Sequence, residues 1–274
     1  MSKRNSQAAK TAARERLRVE REREAKKAKV KRQLVVAGTI VGVLAIAGGI
    51  GYAVMQANKP GAWEAAADAK LVKPANSSGE NGTTVVIGKA DAKKTLKLYE
   101  DPRCPACAAF EQQVGATIHE DVKAGKYKIQ YVGATFIDNN VPGEGSRNAL
   151  SALGAALNVS PEAFLDYKTA LYSEEYYPEE TDDKFKDDEY LIKVANSVDA
   201  LKGKTAFQKD VRDGTYDKWA LLMSEKFDED GKKYDFGGTP SLIMDGKKVT
   251  GSNGQSAPMT AAEYTTAIDA ALKG

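Results

Sequence analysis

Two cysteines three positions apart, Cys104 and Cys107, stand where a strand pattern ends and a helix pattern begins, and the 274 residues contain no others. Before them, Thr95 to Tyr99 alternates apolar and polar residues like a half-buried strand; after them, Phe110, Val114, Ile118 and Val122 recur at every fourth position, one stripe of a helix that begins near Cys104. Thr83 to Gly88 reads as an earlier strand and Lys128 to Val132 as a later one. The order strand, strand, helix, strand points to an α/β domain wrapped around the cysteine turn.

A Cys-x-x-Cys pair serves either zinc binding or redox exchange. Zinc takes about four ligands, usually Cys or His, whereas this chain has two cysteines and one histidine, His119. Ligand supply therefore argues for no metal. A structural disulfide across so short a loop restrains the unfolded chain little. Reversible thiol–disulfide chemistry fits better, because backbone dipoles at a helix start stabilise a thiolate at Cys104. Cys104 is then the exposed nucleophile and Cys107, one turn inside, resolves the mixed disulfide. Between them, Pro105 presets the first helical residue at little cost, and Ala106 adds neither charge nor hydrogen bond. Since the intervening pair tunes thiolate stability, Ala106 predicts weaker oxidising power than a histidine there would give.

Charge divides the chain. Residues 1–33 hold 13 Lys/Arg against 4 Glu, a net of +9; residues 34–55 are uncharged; the remainder has 27 basic and 34 acidic residues, a net of −7. Leu34 to Met55 has the length of a bilayer-spanning helix, about 20 residues, and the preceding basic block places residues 1–33 in the cytoplasm and the rest outside. The run is too long for a signal-peptide core and no convincing small-x-small cleavage site follows Met55. An acidic globular part argues against nucleic acid as a partner. Residues 56–82, small, polar and punctuated by Pro60, Gly61, Pro74, Gly79 and Gly82, read as a flexible linker.

Residues 83–274 then form the domain. Its middle, about 146–227, is mainly helical and predicts an insertion of about four helices, with Ser160-Pro161 as one N-cap signal. Strand character returns at Ser241 to Met244, turns at Asp245-Gly246 and continues to Val249 as a hairpin. Tyr264, Ile268 and Leu272 stripe a final helix.

The stretch Glu100 to Phe110, EDPRCPACAAF, resembles the active-site turn of DsbA-like thioredoxin-fold thiol–disulfide oxidoreductases, especially membrane-anchored extracytoplasmic ones of Gram-positive bacteria. Gly238-Thr239-Pro240-Ser241 before a strand and the helical insertion extend the resemblance over about residues 83–273. It implies a thioredoxin-like fold with a helical insertion, preceded by one transmembrane helix. It also implies a cis bond between Thr239 and Pro240, with that loop facing the cysteines and holding the substrate peptide. No cofactor is implied beyond the chain's own Cys104–Cys107 disulfide. The implied partners are exported protein substrates and a membrane electron acceptor that regenerates the disulfide. Net oxidation is favoured outside the cytoplasm; a reductase or isomerase using the same residues, and a non-catalytic membrane-anchored binding protein, are the alternatives. Asp101 matches an acidic position common in the family, and Glu100 stands beside it; either relays protons or raises the thiol pKa, against the plainer expectation of a solvated turn carboxylate. Arg103 is expected to favour the thiolate. His119 is expected at the surface, and Trp219, Tyr172, Tyr176 and Tyr177 are expected as core or loop anchors outside the site.

Overall fold

The structure, a computed structural model, describes residues 61–179 and 181–274; the basic segment 1–33 and the apolar span 34–55 lie outside the described residues. Among the described residues no helix is long and apolar enough to cross a membrane. Five strands, β1 (Val85–Ile87), β2 (Thr95–Glu100), β3 (Lys128–Gly133), β4 (Ser241–Met244) and β5 (Lys247–Lys248), form one sheet in the order β1-β3-β2-β4-β5. Only the β2–β3 pair is parallel, so a crossover must join those two strands. It consists of the helix Pro105–Ala124, which follows a short helix α1 (Ala62–Asp68) and is therefore α2. Its Phe110, Val114, Ile118 and Val122 are all buried, as their spacing predicts.

Central position explains why β2 departs from simple alternation. Leu96 and Leu98 are fully buried, and so are Tyr99 and Glu100 at the strand's end, because neighbouring strands and packed helices cover both faces. The register is what assembles the site. Tyr99 pairs with Ser241 across the antiparallel β2–β4 ladder. The end of β2, which leads into the cysteine turn, thus lies beside the start of β4, which the Gly238–Pro240 loop precedes. Asp245 and Gly246, both left-handed (φ 50° and 78°), close the β4–β5 hairpin.

Between β3 and β4 the chain forms α3 (Ile137–Asn140), α4 (Gly145–Val159), α5 (Pro161–Tyr172), a 3-10 turn (Lys184–Lys186), α6 (Asp188–Ala195), α7 (Thr205–Arg212) and α8 (Asp217–Tyr234); α9 (Ala261–Lys273) closes the domain. From Gly145 to Tyr234 there are thus five α-helices where the sequence suggested about four. Polar turns at 173–179, 196–204 and 213–216 divide what periodicity alone runs together. Ser160 caps α5, its hydroxyl accepting from the Ala163 amide at 3.0 Å. The insertion docks on β3 mainly through α8, and α4 approaches the end of the same strand. A Cβ at Gly133 of β3 would lie 2.3 Å from Leu150, so glycine there permits the helix to approach the strand.

The expected linker requires a correction. Residues 62–68 are helical, and the described part of 56–82 is attached to the domain. Trp219, fully buried in α8, donates its indole N–H to the Gly82 carbonyl at 2.7 Å. The Ala75 amide donates to Asn158 at 3.0 Å, and the Asn76 side chain donates to the Leu157 carbonyl at 2.8 Å. Leu157 and Asn158 lie in the last turn of α4, where carbonyls lack helical partners. Glycine and proline content signals an irregular backbone, but irregular chain that satisfies another element's unpaired groups is structure, not tether.

Candidate active site

Cys104 is the N-cap of α2 and Pro105 its first residue. A β-region backbone at Cys104 (φ −77°, ψ 117°) turns the chain from β2 into the helix, and the Cys107 and Ala108 amides donate to the Cys104 carbonyl at 3.0 and 3.1 Å. Both cysteines are free thiols. Cys107 is 0% exposed and Cys104 7%, so the expected exposed nucleophile is largely covered, yet it alone of the two has a path to a partner.

The two sulfurs are electrostatically unlike. A hydrogen bond from the Cys107 thiol lowers the Cys104 thiol to about 6 against the opposing effect of burial, helped by the Thr239 hydroxyl and the Cys107 and Ala106 amides. Burial, the hydrogen bond to Cys104 and the charges of Cys104 and Glu100 push the Cys107 thiol up. The Cys104 thiol thus ionises more readily than the Cys107 thiol.

The Thr239–Pro240 peptide is cis and faces the pair. The protonated Cys104 Sγ lies 3.5 Å from the Thr239 carbonyl. The buried Thr239 hydroxyl has no other hydrogen-bond partner among the described residues, which leaves it available to a Cys104 thiolate. Beside this loop runs a groove of about 580 Å³, lined by Ala106, Phe236 to Ile243 and Lys248 to Thr250, among others.

Glu100 and Asp101 depart from the solvated-turn expectation: they are 5% and 0% exposed. Asp101 accepts from the Arg103 amide (2.9 Å), the Ile137 amide (3.1 Å) and the Ser146 hydroxyl (2.6 Å), yet burial outweighs these donors and raises its carboxyl to about 7. Glu100 likewise rises to about 7 through burial, opposed by Lys168 at 3.0 Å and reinforced by Glu111. Lys168, 2% exposed, also donates to Glu111 at 2.5 Å. Burial pushes Glu111 up as well, but the closer Lys168 and the Thr169 hydroxyl at 2.6 Å hold it below the usual carboxylate range. One lysine between two acids therefore leaves the acid nearer the cysteines, Glu100, as a group that exchanges protons near neutrality.

Arg103 does not face the thiolate as expected. Buried at 2% exposure, it donates to Asp138 (2.8 Å) and the Val141 carbonyl (3.1 Å) and pairs with Asp183 (3.3 Å), joining the turn to the insertion. Two tyrosines left outside the site by their sequence are in it: the Tyr172 hydroxyl donates to the Asp101 carbonyl (3.0 Å) and that of Tyr177 to the Arg103 carbonyl (2.6 Å). Both pack beside the cysteines with Ile137 and Phe136. Trp219 is fully buried in the core. His119 is partly buried rather than superficial, and burial lowers its pKa. Among the described residues no group of three or more His, Cys, Asp or Glu is arranged to hold a metal ion.

A family model described as thioredoxin matches residues 80–270. The chain belongs to the thioredoxin family. Disulfide bond formation protein D of Bacillus subtilis (strain 168) is 25% identical over 166 residues, covering 60% of this chain and 68% of that protein. Oxidised BdbD from Bacillus subtilis superimposes with a TM-score of 0.55 at 21% identity, covering 74% of this chain and all of that one. For oxidised DsbA of Mycobacterium tuberculosis the TM-score is 0.51 at 22% identity, with 67% of this chain and 99% of that one covered. These structures share the thioredoxin-like fold with a helical insertion, and thioredoxin-family membership fits the turn, helix and cis-proline geometry described above.

Proposed function

We propose that this thioredoxin-family protein is a DsbA-like thiol–disulfide oxidoreductase whose redox centre is its own Cys104–Cys107 pair. It acts outside the cytoplasm, anchored by the 34–55 segment, and oxidises exported proteins. The observation that supports this most is the opposite displacement of the two thiols within one helical turn, Cys104 down to about 6 and Cys107 up.

In the oxidising direction, a substrate thiolate attacks the Cys104 sulfur of the disulfide. The Cys104–Cys107 bond breaks as the mixed disulfide forms, and Cys107 leaves and takes a proton, with Glu100 as the nearby group able to supply it. A second substrate thiolate attacks the substrate sulfur and expels Cys104 as a thiolate. Two electrons pass from the substrate dithiol to the pair, and a membrane electron acceptor removes them. A low thiol pKa makes Cys104 a good leaving group in the last step and stabilises the reduced protein, which makes the disulfide more oxidising. Thr239 and Pro240 hold the substrate backbone beside the sulfurs, and Pro105 and Ala106 set the helix start that tunes them.

Capture from the cells that make the protein tests this reading. Cys107→Ser leaves Cys104 as a lone thiolate that attacks disulfides of exported proteins and removes the neighbouring thiol that would displace the captured chain, so mixed disulfides with exported proteins should accumulate on Cys104, and wild-type protein should be isolated mainly oxidised. Mainly reduced wild-type protein would favour a reductase or isomerase. No captured protein, together with no exchange by the purified chain, would favour a binding protein that keeps the fold without the chemistry.

A further inference from the structure

Gly237 and Gly238 line the groove beside Cys104, and the fold itself does not require glycine at either position. Glycine is needed where the backbone is left-handed or where neighbouring atoms leave no room for a Cβ. Gly246 meets the first condition and Gly133 the second. Gly237 and Gly238 meet neither: both lie outside the left-handed region, and no atom lies within 4 Å of where a Cβ would sit. Both line the groove next to Thr239, whose carbonyl is 3.5 Å from the Cys104 sulfur.

We propose that Gly237 and Gly238 determine substrate specificity. By carrying no side chains they keep the groove open to a large apolar residue flanking the cysteine of an extended polypeptide. The proposal rests on the oxidoreductase reading. Three features identify this occupant. The groove continues from Ala106 at the reactive turn, so chain flanking a substrate cysteine must pass along it. Much of its wall is apolar, from Phe236, Pro240, Leu242, Val249, Ala257 and Met259. Its volume of about 580 Å³ falls among ligand sites of about 300–1,000 Å³, enough for several side chains. A Cβ at 237 or 238 would meet no protein atom within 4 Å beyond its chain neighbours, so the effect of a side chain there falls on the occupant of the groove that these residues line and not on the fold.

The test is a size series, Gly238→Ala, Gly238→Val and Gly238→Leu, with Gly237→Leu, in the full-length chain. Second-order oxidation rate constants are measured for a peptide with phenylalanine beside its cysteine, a peptide with glycine on both sides, and dithiothreitol. The Phe-flanked to Gly-flanked ratio should fall steadily with side-chain size, by about tenfold at leucine, a discrimination within reach of one or two methylenes in a pocket. Because both rates come from the same sample, the ratio does not depend on the fraction folded. A ratio that stays flat across the series overturns the proposal, as does an equal fall for all three substrates, which would place the effect on the sulfur chemistry. If the wild-type protein oxidises none of the three, the oxidoreductase reading fails and takes this proposal with it.

Discussion

Replacing Cys104 by serine should slow disulfide exchange by more than about a thousandfold, equivalent to about 4 kcal/mol of transition-state stabilisation. The thiolate is the nucleophile in this chemistry, and Cys104 is the sulfur that hydrogen bonds hold near pKa 6. Cys107 cannot take over. It has no exposed surface, and burial keeps its thiol protonated at neutral pH. Cys107→Ser should differ in kind: it has no disulfide with which to oxidise a dithiol, but its Cys104 thiolate still attacks a substrate disulfide and stops at the mixed disulfide. Reaction with a fluorescent disulfide peptide separates the two variants, because Cys107→Ser retains the adduct and Cys104→Ser forms none. More than about a tenth of wild-type activity in Cys104→Ser would mean that the buried thiol can lead, contrary to the roles assigned here, since that retention is only about 1.4 kcal/mol of loss.

Lys168→Met should destabilise the domain by about 3–5 kcal/mol, because removing one partner of a buried ion pair leaves its counter-charges uncompensated. Two carboxylates are left in this case, Glu100 at 3.0 Å and Glu111 at 2.5 Å. Lys168 also lies over the Tyr131 and Tyr172 rings at 5.0 and 5.3 Å, contacts that methionine keeps only as apolar packing. The effect depends on pH. Without Lys168 both acids have folded-state pKa values above their unfolded ones, so the penalty is small below the ordinary carboxylate range and grows as pH rises through the raised values. Urea unfolding at pH 5 and pH 8 should show the larger loss at pH 8, and adding Glu100→Gln should restore part of it. Equal losses at both pH values would show that packing, and not charge, is the main contribution of Lys168.

Local patterns carried much of this in the sequence, and long-range partners did not. The stripe from Phe110 to Val122, the alternation in β2 and β3 and the Asp245-Gly246 turn each depend on nearest neighbours, so periodicity and turn chemistry located them. Glu100 and Asp101 could not be judged that way. Their burial depends on Lys168, 68 residues away in α5, and on Ser146 and Ile137 in the insertion. Arg103 differs from its expected place for the same reason: its partners Asp138 and Asp183 lie in the insertion, far from it in sequence. Tyr172 and Tyr177 gave no local signal beyond being aromatic; their hydroxyls matter because the insertion folds back over the turn. The 61–82 segment misled through composition, since Trp219 and the end of α4 supply partners that glycine and proline content cannot reveal.

The most direct measurement is the alkylation rate of the reduced protein by iodoacetamide from pH 4 to pH 9, with the modified cysteine identified by mass spectrometry. The expected result is modification of Cys104 with a midpoint near pH 6 and none at Cys107 while the fold is intact. A midpoint in the ordinary thiol range, about 8.5, or modification of Cys107 first, would contradict it.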